Sequence, residues 1–180
     1  MERCLDVGRV AIEEKVDGFR FSRINGKWMS KQGKSLFNVK EIQTFLNSLP
    51  LRKHIIDGEV TGKDWAQTMT LFRSSKADVN DKLKRYGRYK IFDLVNPHKL
   101  DEPFRDRRER LEEVFAKHSH PMVMLTKSEQ VQSYDEFVEL HNFHLASGCD
   151  GSIIKLTASP YEFKRSGYWL KVKPQKRWTV

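Results

Sequence analysis

Cysteine is scarce in this chain: Cys4 and Cys149 are the only two in 180 residues, and no Cys-x-x-Cys pair exists. Two thiols cannot build a disulfide framework, and such usage suits a reducing compartment. Neither has a histidine and an acid arranged nearby in sequence, so both read as ordinary buried thiols rather than nucleophiles. Long apolar runs are missing as well. Nothing approaches the roughly 20 apolar residues that span a bilayer, and the opening MERCLDVGRVAIEE lacks the form of a signal peptide. A soluble, cytoplasmic protein with no membrane partner is expected. Repeats, low-complexity tracts and linkers are absent too, which points to one domain over residues 1–180. Acidic side chains are outnumbered, 24 against 33 Lys plus Arg, for a formal charge of +9. That excess fits a polyanion, and nucleic acid is the usual one. The basic residues are spread along the chain, so folding must assemble any patch.

What is present reads as a mixture of strands and helices. Residues 10–16 (VAIEEKV), 19–24 (FRFSRI) and 27–32 (KWMSKQ) have strand character, with Asn25-Gly26 a strong hairpin signal between the last two. Residues 38–49 carry Ile42, Phe45, Leu46 and Leu49 on one helical face, with Asn38 as N-cap. A strand over 54–60 follows, then a short helix capped by Asp64 and a strand over 88–95. The longest helix is expected from near Pro103 through FRDRRERLEEVFAKH, its arginines 105, 107, 108 and 110 forming a solvated face. A strand over 121–127, a helix from Ser133 closed by Gly148, and strands over 151–157 and 168–174 complete the pattern. Without a regular βαβ alternation this predicts an α+β fold with antiparallel sheets.

Four polar signatures sit in or beside strands that otherwise look buried. They are Lys15-Val16-Asp17-Gly18-Phe19-Arg20, Asp57-Gly58-Glu59, Asp150-Gly151 with Lys155, and Lys171-Val172-Lys173; Phe92-Asp93 lies on a strand among them. Burying several lysines and carboxylates together is unfavourable unless they pair or hold a ligand. In this order they resemble the collinear motifs of the covalent nucleotidyltransferases, which include DNA ligases, RNA ligases and mRNA capping enzymes. The resemblance runs from about Glu13 to Pro174. The stretch FKRSGYWLKVKP is especially similar to short phage-type and related bacterial ATP-dependent DNA ligases.

The resemblance implies a ligase nucleotidyltransferase domain of ATP-grasp-like type, with two antiparallel sheets flanked by helices. It also implies the chemistry. A lysine attacks the α-phosphate of ATP, expels pyrophosphate and keeps AMP through a P–N bond. Lys15 occupies that position, and since a free lysine titrates near about 10.4, neighbouring cations, desolvation or a divalent metal are expected to favour its neutral form. By the same correspondence Glu13 meets the adenine edge, Arg20 lies near the ribose and a nucleic-acid phosphate, and Phe92 stacks on adenine. Glu59 binds ribose or helps hold the metal. Lys171 and Lys173 neutralise charge on the α-phosphate. Asp150 stands where Glu is common and suits Mg²⁺ or Mn²⁺ as a hard oxygen ligand with shorter reach. Lys31 stands where many ligases place an arginine that reads the 5′-phosphate at a nick, and it lacks the guanidinium fork. Lys164 and Arg165 suit phosphates along the duplex. His141 and His144, three apart on one helix, have no evident third metal ligand and read as surface or core histidines.

These expectations combine as a monomeric ATP-dependent DNA ligase that seals nicked duplex DNA in the cytoplasm of a bacterium or a phage-infected host cell. RNA ligase or RNA-capping chemistry is the alternative within the same superfamily, and a non-catalytic nucleic-acid-binding module the alternative outside it. Members of the family continue into an OB-fold domain, whereas seven residues follow Lys173; a missing OB-fold is therefore expected.

Overall fold

Asn25 and Gly26 both adopt positive φ (51° and 76°), which closes a two-residue hairpin between β2 (Phe19–Ile24) and β3 (Lys27–Ser30) as the sequence predicts. The computed structural model describes residues 9–75, 80–164 and 166–174. Its other strands are β1 (Val10–Glu14), β4 (Ile55–Thr61), β5 (Arg88–Val95), β6 (Val123–Leu125), β7 (Ser128–Val131), β8 (Ser152–Leu156) and β9 (Trp169–Val172). The helices are α1 (Lys40–Ser48), α2 (Trp65–Arg73), α3 (Asn80–Tyr86), α4 (Phe104–Lys117) and α5 (Tyr134–Ala146). Among the described residues no helix is long and apolar enough to cross a membrane.

The chain divides into two compact units. The first takes residues up to Val16, Pro103–Arg105 and everything from Lys127 onward. Its sheet has strand order β7-β1-β8-β9, with every pair antiparallel. Val10, Ile12, Val131 and Ile154 form its core with Phe137 of α5. Ser133 caps α5 by accepting from the Glu136 N–H, and Gly148, at φ 82°, follows its end.

The second unit takes Asp17–Glu102 and Asp106–Thr126. Its sheet runs β3-β2-β4-β5-β6. The two-sheet expectation holds, with one refinement: β6 lies parallel to β5, because α4 carries the chain back to the starting end of the sheet. Phe21, Ile56, Val60, Tyr89 and Ile91 face a core completed by Ile42 and Leu46 of α1 and Leu71 and Phe72 of α2.

Local differences from expectation have local causes. The strand foreseen over 121–127 shortens to β6, and an unforeseen strand, β7, follows it in the other sheet. Asn38 does not cap α1, which starts at Lys40 with Val39 at the N-cap and no side-chain cap bond. The Asn38 amide instead donates to the carbonyls of Leu71 (2.7 Å) and Ser74 (3.3 Å), satisfying groups at the end of α2. Asp64 does cap α2, accepting from the Gln67 N–H.

Candidate active site

In the first unit, β1 ends one residue before Lys15. Beyond it the chain is held to the approach to β8 by two backbone bonds, Lys15 N–H to Gly151 O (3.0 Å) and Asp150 N–H to Lys15 O (3.1 Å). Gly151 has φ 109°, and a Cβ there would overlap the Val172 carbonyl, so only glycine lets β9 come this close. The Lys15 ammonium donates to Asp150 Oδ2, and Lys173 Nζ lies 3.1 Å from the same oxygen. Lys15 is mostly shielded, with 14% of its side chain exposed, while Lys173 reaches in from solvent at 61%. Burial alone would push the Asp150 carboxyl up, but the hydrogen bonds and charges of Lys15 and Lys173 outweigh it and hold it below its ordinary range.

Behind this cluster lies a second pair. Lys155 Nζ is 2.8 Å from Glu13 Oε2, and each side chain is only 1% exposed. The ammonium sits 4.4 Å from the Phe104 ring centroid and 4.2 Å from that of Trp169, a cation between two aromatic rings. Strand register places Glu13 opposite Ile153 and Ile153 opposite Lys171, so Lys171 shares a sheet face with Glu13 while remaining exposed.

In the second unit, the fully buried Asp57 accepts from both Arg20 Nε (2.9 Å) and Arg20 Nη2, and from the Ser22 hydroxyl (2.7 Å). The Arg20 guanidinium is thereby fixed by a fork, 5.8 Å from the ring centroid of the half-buried Phe92. Register puts Arg20, Glu59 and Lys90 in one cross-strand row, so a carboxylate stands between two cations on one face. Gly58, at a register shift between β4 and β5, is packed against Tyr89; a Cβ would lie 2.6 Å from its ring and 2.7 Å from the Lys90 carbonyl oxygen. Lys31 is exposed just beyond β3.

The family model described as "ATP dependent DNA ligase domain" matches residues 2–173. The chain belongs to this family. A DNA ligase of Methanocorpusculum labreanum is 28% identical over 183 residues, covering 93% of this chain and 32% of the relative. The solved structure named Pmar-Lig_PreS3 is 27% identical with a TM-score of 0.78, covering 96% of this ligase-family chain and 44% of that one. The crystal structure of the Chlorella virus DNA ligase-adenylate has a TM-score of 0.74 at 20% identity over 91% of this chain and 62% of the other, a likeness of fold. The ligase-family chain spans about a third of the length of the curated relatives it matches.

The first unit brings together Lys15, Asp150 and Lys173, with Glu13 two residues before Lys15 in sequence. The second unit gathers Arg20, Glu59 and Phe92. Lys164 stands apart, 78% exposed and 3.3 Å from Glu162 Oε1, and Arg165 lies outside the described residues. Cys149 is half-buried rather than buried, its Sγ 3.8 Å from Glu14 Oε2, and Cys4 also lies outside the described residues.

The arginines of α4 are not a solvated face. Arg107 is fully buried and forks onto Asp93, with Nε to Oδ1 at 2.8 Å and Nη2 to Oδ2 at 3.0 Å, the residue next to Phe92. Arg108 donates to the Thr126 carbonyl at 2.8 Å and Arg110 binds Glu102. Arg105 alone is exposed. A buried aspartate following an aromatic residue on a core strand was the available signal, since such a charge demands a buried partner.

Proposed function

We propose that this chain carries the nucleotide-transfer chemistry of ATP-dependent DNA nick sealing. The observation that carries the reading is the meeting of Lys15, Asp150 and Lys173 within a chain matched along nearly its whole length by the ligase model. Two ammonium groups share one carboxylate, which leaves net positive charge suited to a polyphosphate. The Lys15 ammonium, which donates to Asp150, gives up its proton to solvent, and the amine attacks the α-phosphate of ATP. A P–N bond forms, the bond to pyrophosphate breaks, and AMP stays on the lysine. AMP then passes to the 5′-phosphate at a nick, and the 3′-hydroxyl displaces it to close the strand. The solved Chlorella virus relative is a ligase-adenylate, which supports the covalent step.

The remaining groups bind and orient. Glu13, held by Lys155, accepts from the adenine amine, and Phe92 stacks on the base. Arg20, aimed by Asp57, meets the ribose or a nucleic-acid phosphate, and Glu59 takes a ribose hydroxyl. Lys171 and Lys173 face charge growing on the α-phosphate. Lys31 contacts the 5′-phosphate, and Lys164 and Arg165 the duplex backbone. A divalent cation, Mg²⁺ or Mn²⁺, would neutralise phosphate charge when bound, and Asp150 and Glu59 are each a candidate oxygen donor for such an ion. Mg²⁺ is commonly held by one or two carboxylates plus phosphate oxygens and needs no all-protein cage; no cluster of three metal-ligating side chains occurs among the described residues. Supplies of DNA and ATP place this work in the cytoplasm.

The test is intact-mass measurement after incubation with ATP and Mg²⁺, with peptide mapping of the adduct. One added adenylate on Lys15, absent from Lys15→Ala, is expected. An adduct on another residue refutes the assignment, and an adduct formed from GTP in place of ATP redirects it to capping chemistry.

A further inference from the structure

Three side chains of the first unit meet where no step above uses them. His141 Nδ1 and His144 Nδ1 each lie 2.9 Å from Ser152 Oγ. Ser152 is 0% and His144 2% exposed, and the His141 ring is stacked on Phe137 with centroids 5.5 Å apart. A serine hydroxyl carries one proton, so it can donate to only one of two neutral imidazoles, and the other must donate to the oxygen from Nδ1–H. The three therefore form a directed chain, imidazole to hydroxyl to imidazole, with the two rings in different tautomers. Burial pushes both imidazoles down from their ordinary value, which keeps the pair neutral at neutral pH.

A serine beside a histidine can act as a nucleophile, but a fully buried Oγ meets no substrate. The position of Ser152 gives it different work. It opens β8 two residues after Asp150, with Glu14 of β1 opposite on one side and Val172 of β9 on the other. Its side chain is tied to α5, while the backbone just before it holds Lys15 through the Gly151 and Asp150 bonds.

We propose that His141, Ser152 and His144 form a positioning cluster that anchors the Asp150-Gly151 turn to α5, and so fixes the Asp150 carboxylate against Lys15 and Lys173. The cluster touches no reacting atom. Its importance for catalysis rests on the reading of Lys15 as nucleophile, but the anchoring does not.

Two readouts separate these levels. Amide hydrogen exchange at Lys15 and Asp150 reports the anchor alone. In Ser152→Ala, which removes both contacts, it should quicken by at least roughly tenfold, the weight of one buried hydrogen bond, whereas Ser152→Thr, which keeps the hydroxyl, should stay within about twofold of the unchanged protein. The rate of adenylate formation on Lys15 at saturating ATP should fall in Ser152→Ala with little change in the ATP concentration giving half-maximal rate, and recover in Ser152→Thr. Unchanged exchange in Ser152→Ala overturns the proposal, as does equal acceleration in the Ala and Thr variants. Should Ser152→Ala not fold, His141→Ala, at a half-buried position, is read in the same way, since it removes one of the two Nδ1 contacts to Ser152. If the unchanged protein takes no adenylate on Lys15, the functional reading fails while the exchange experiment still judges the anchor.

Discussion

Lys155→Met tests whether a buried charge in the first unit is held by the partners described for it. Methionine keeps an unbranched apolar stem between Phe104 and Trp169 and removes only the ammonium. The Glu13 carboxylate, 1% exposed, then loses its bond to Lys155 at 2.8 Å, and the two rings lose a cation within 4.4 Å. Breaking a buried ion pair by deleting one partner destabilises by about 3–5 kcal/mol. Two desolvated cation–π contacts place the loss in the upper part of that range rather than beyond it, since neighbouring terms are not additive. Taking about 4.5 kcal/mol and a urea slope near 2 kcal/mol per M, the unfolding midpoint should drop by about 2.3 M. The partner experiment replaces both charges, Glu13→Leu with Lys155→Met. An apolar pair needs no counter-charge, so most of the loss should return, while Lys15 adenylation should stay impaired because the adenine contact proposed for Glu13 is removed. Urea titrations followed by circular dichroism measure Lys155→Met, Glu13→Leu and the double variant. A midpoint shift under about 0.5 M for Lys155→Met, or a double variant as unstable as the sum of the singles, would falsify the coupling.

Other expectations follow from single features. Asp150 is held below its ordinary carboxyl value, so its contribution to stability is complete above about pH 4 and is lost as pH falls through the folded value; the stability gap between the unchanged protein and Asp150→Asn should narrow below that pH, and a constant gap contradicts it. Burial depresses His144, so the unfolded chain takes up the proton first and stability should fall as pH drops below about 6.5. Thermal melts between pH 8 and 5 should show that slope weakened in His144→Asn. Arg107→Met leaves the Asp93 carboxylate buried without its fork and should destabilise by about 3–5 kcal/mol, far more than Arg105→Met at an exposed position, and calorimetry distinguishes the two. Gly58→Ala drives a methyl into the Tyr89 ring and the Lys90 carbonyl and should lower stability by about 1–3 kcal/mol; denaturation at wild-type midpoint would show that β4 and β5 can part without strain.

The motif residues were legible because their types are improbable where they stand. A lysine after a run of strand residues and Asp-Gly pairs beside buried strands announce themselves in the letters, and Gly58 and Gly151 prove to be where a neighbouring strand or ring leaves no room for a Cβ. The groups that hold those residues were not legible, for a physical reason. Arg107 follows a helical period whose arginines could all face water, and only the depth of Asp93 in β5 turns one of them inward. Lys155 has the same letter as any strand lysine, and its burial depends on Phe104 and Trp169, brought to it from 51 residues before and 14 after in the sequence. Asn38 looked like a cap because capping is a local rule, and it was claimed by two carbonyls more than 30 residues away. Residues that meet a ligand are constrained by chemistry that recurs from protein to protein, so their pattern survives in one dimension. Residues that aim them are constrained only by the charge or hydrogen-bonding group that folding happens to bury beside them. The Ser152 hydroxyl and two histidines on α5 belong to that second kind, and a sequence can show such a cluster only after the strand pairing of β8 is known.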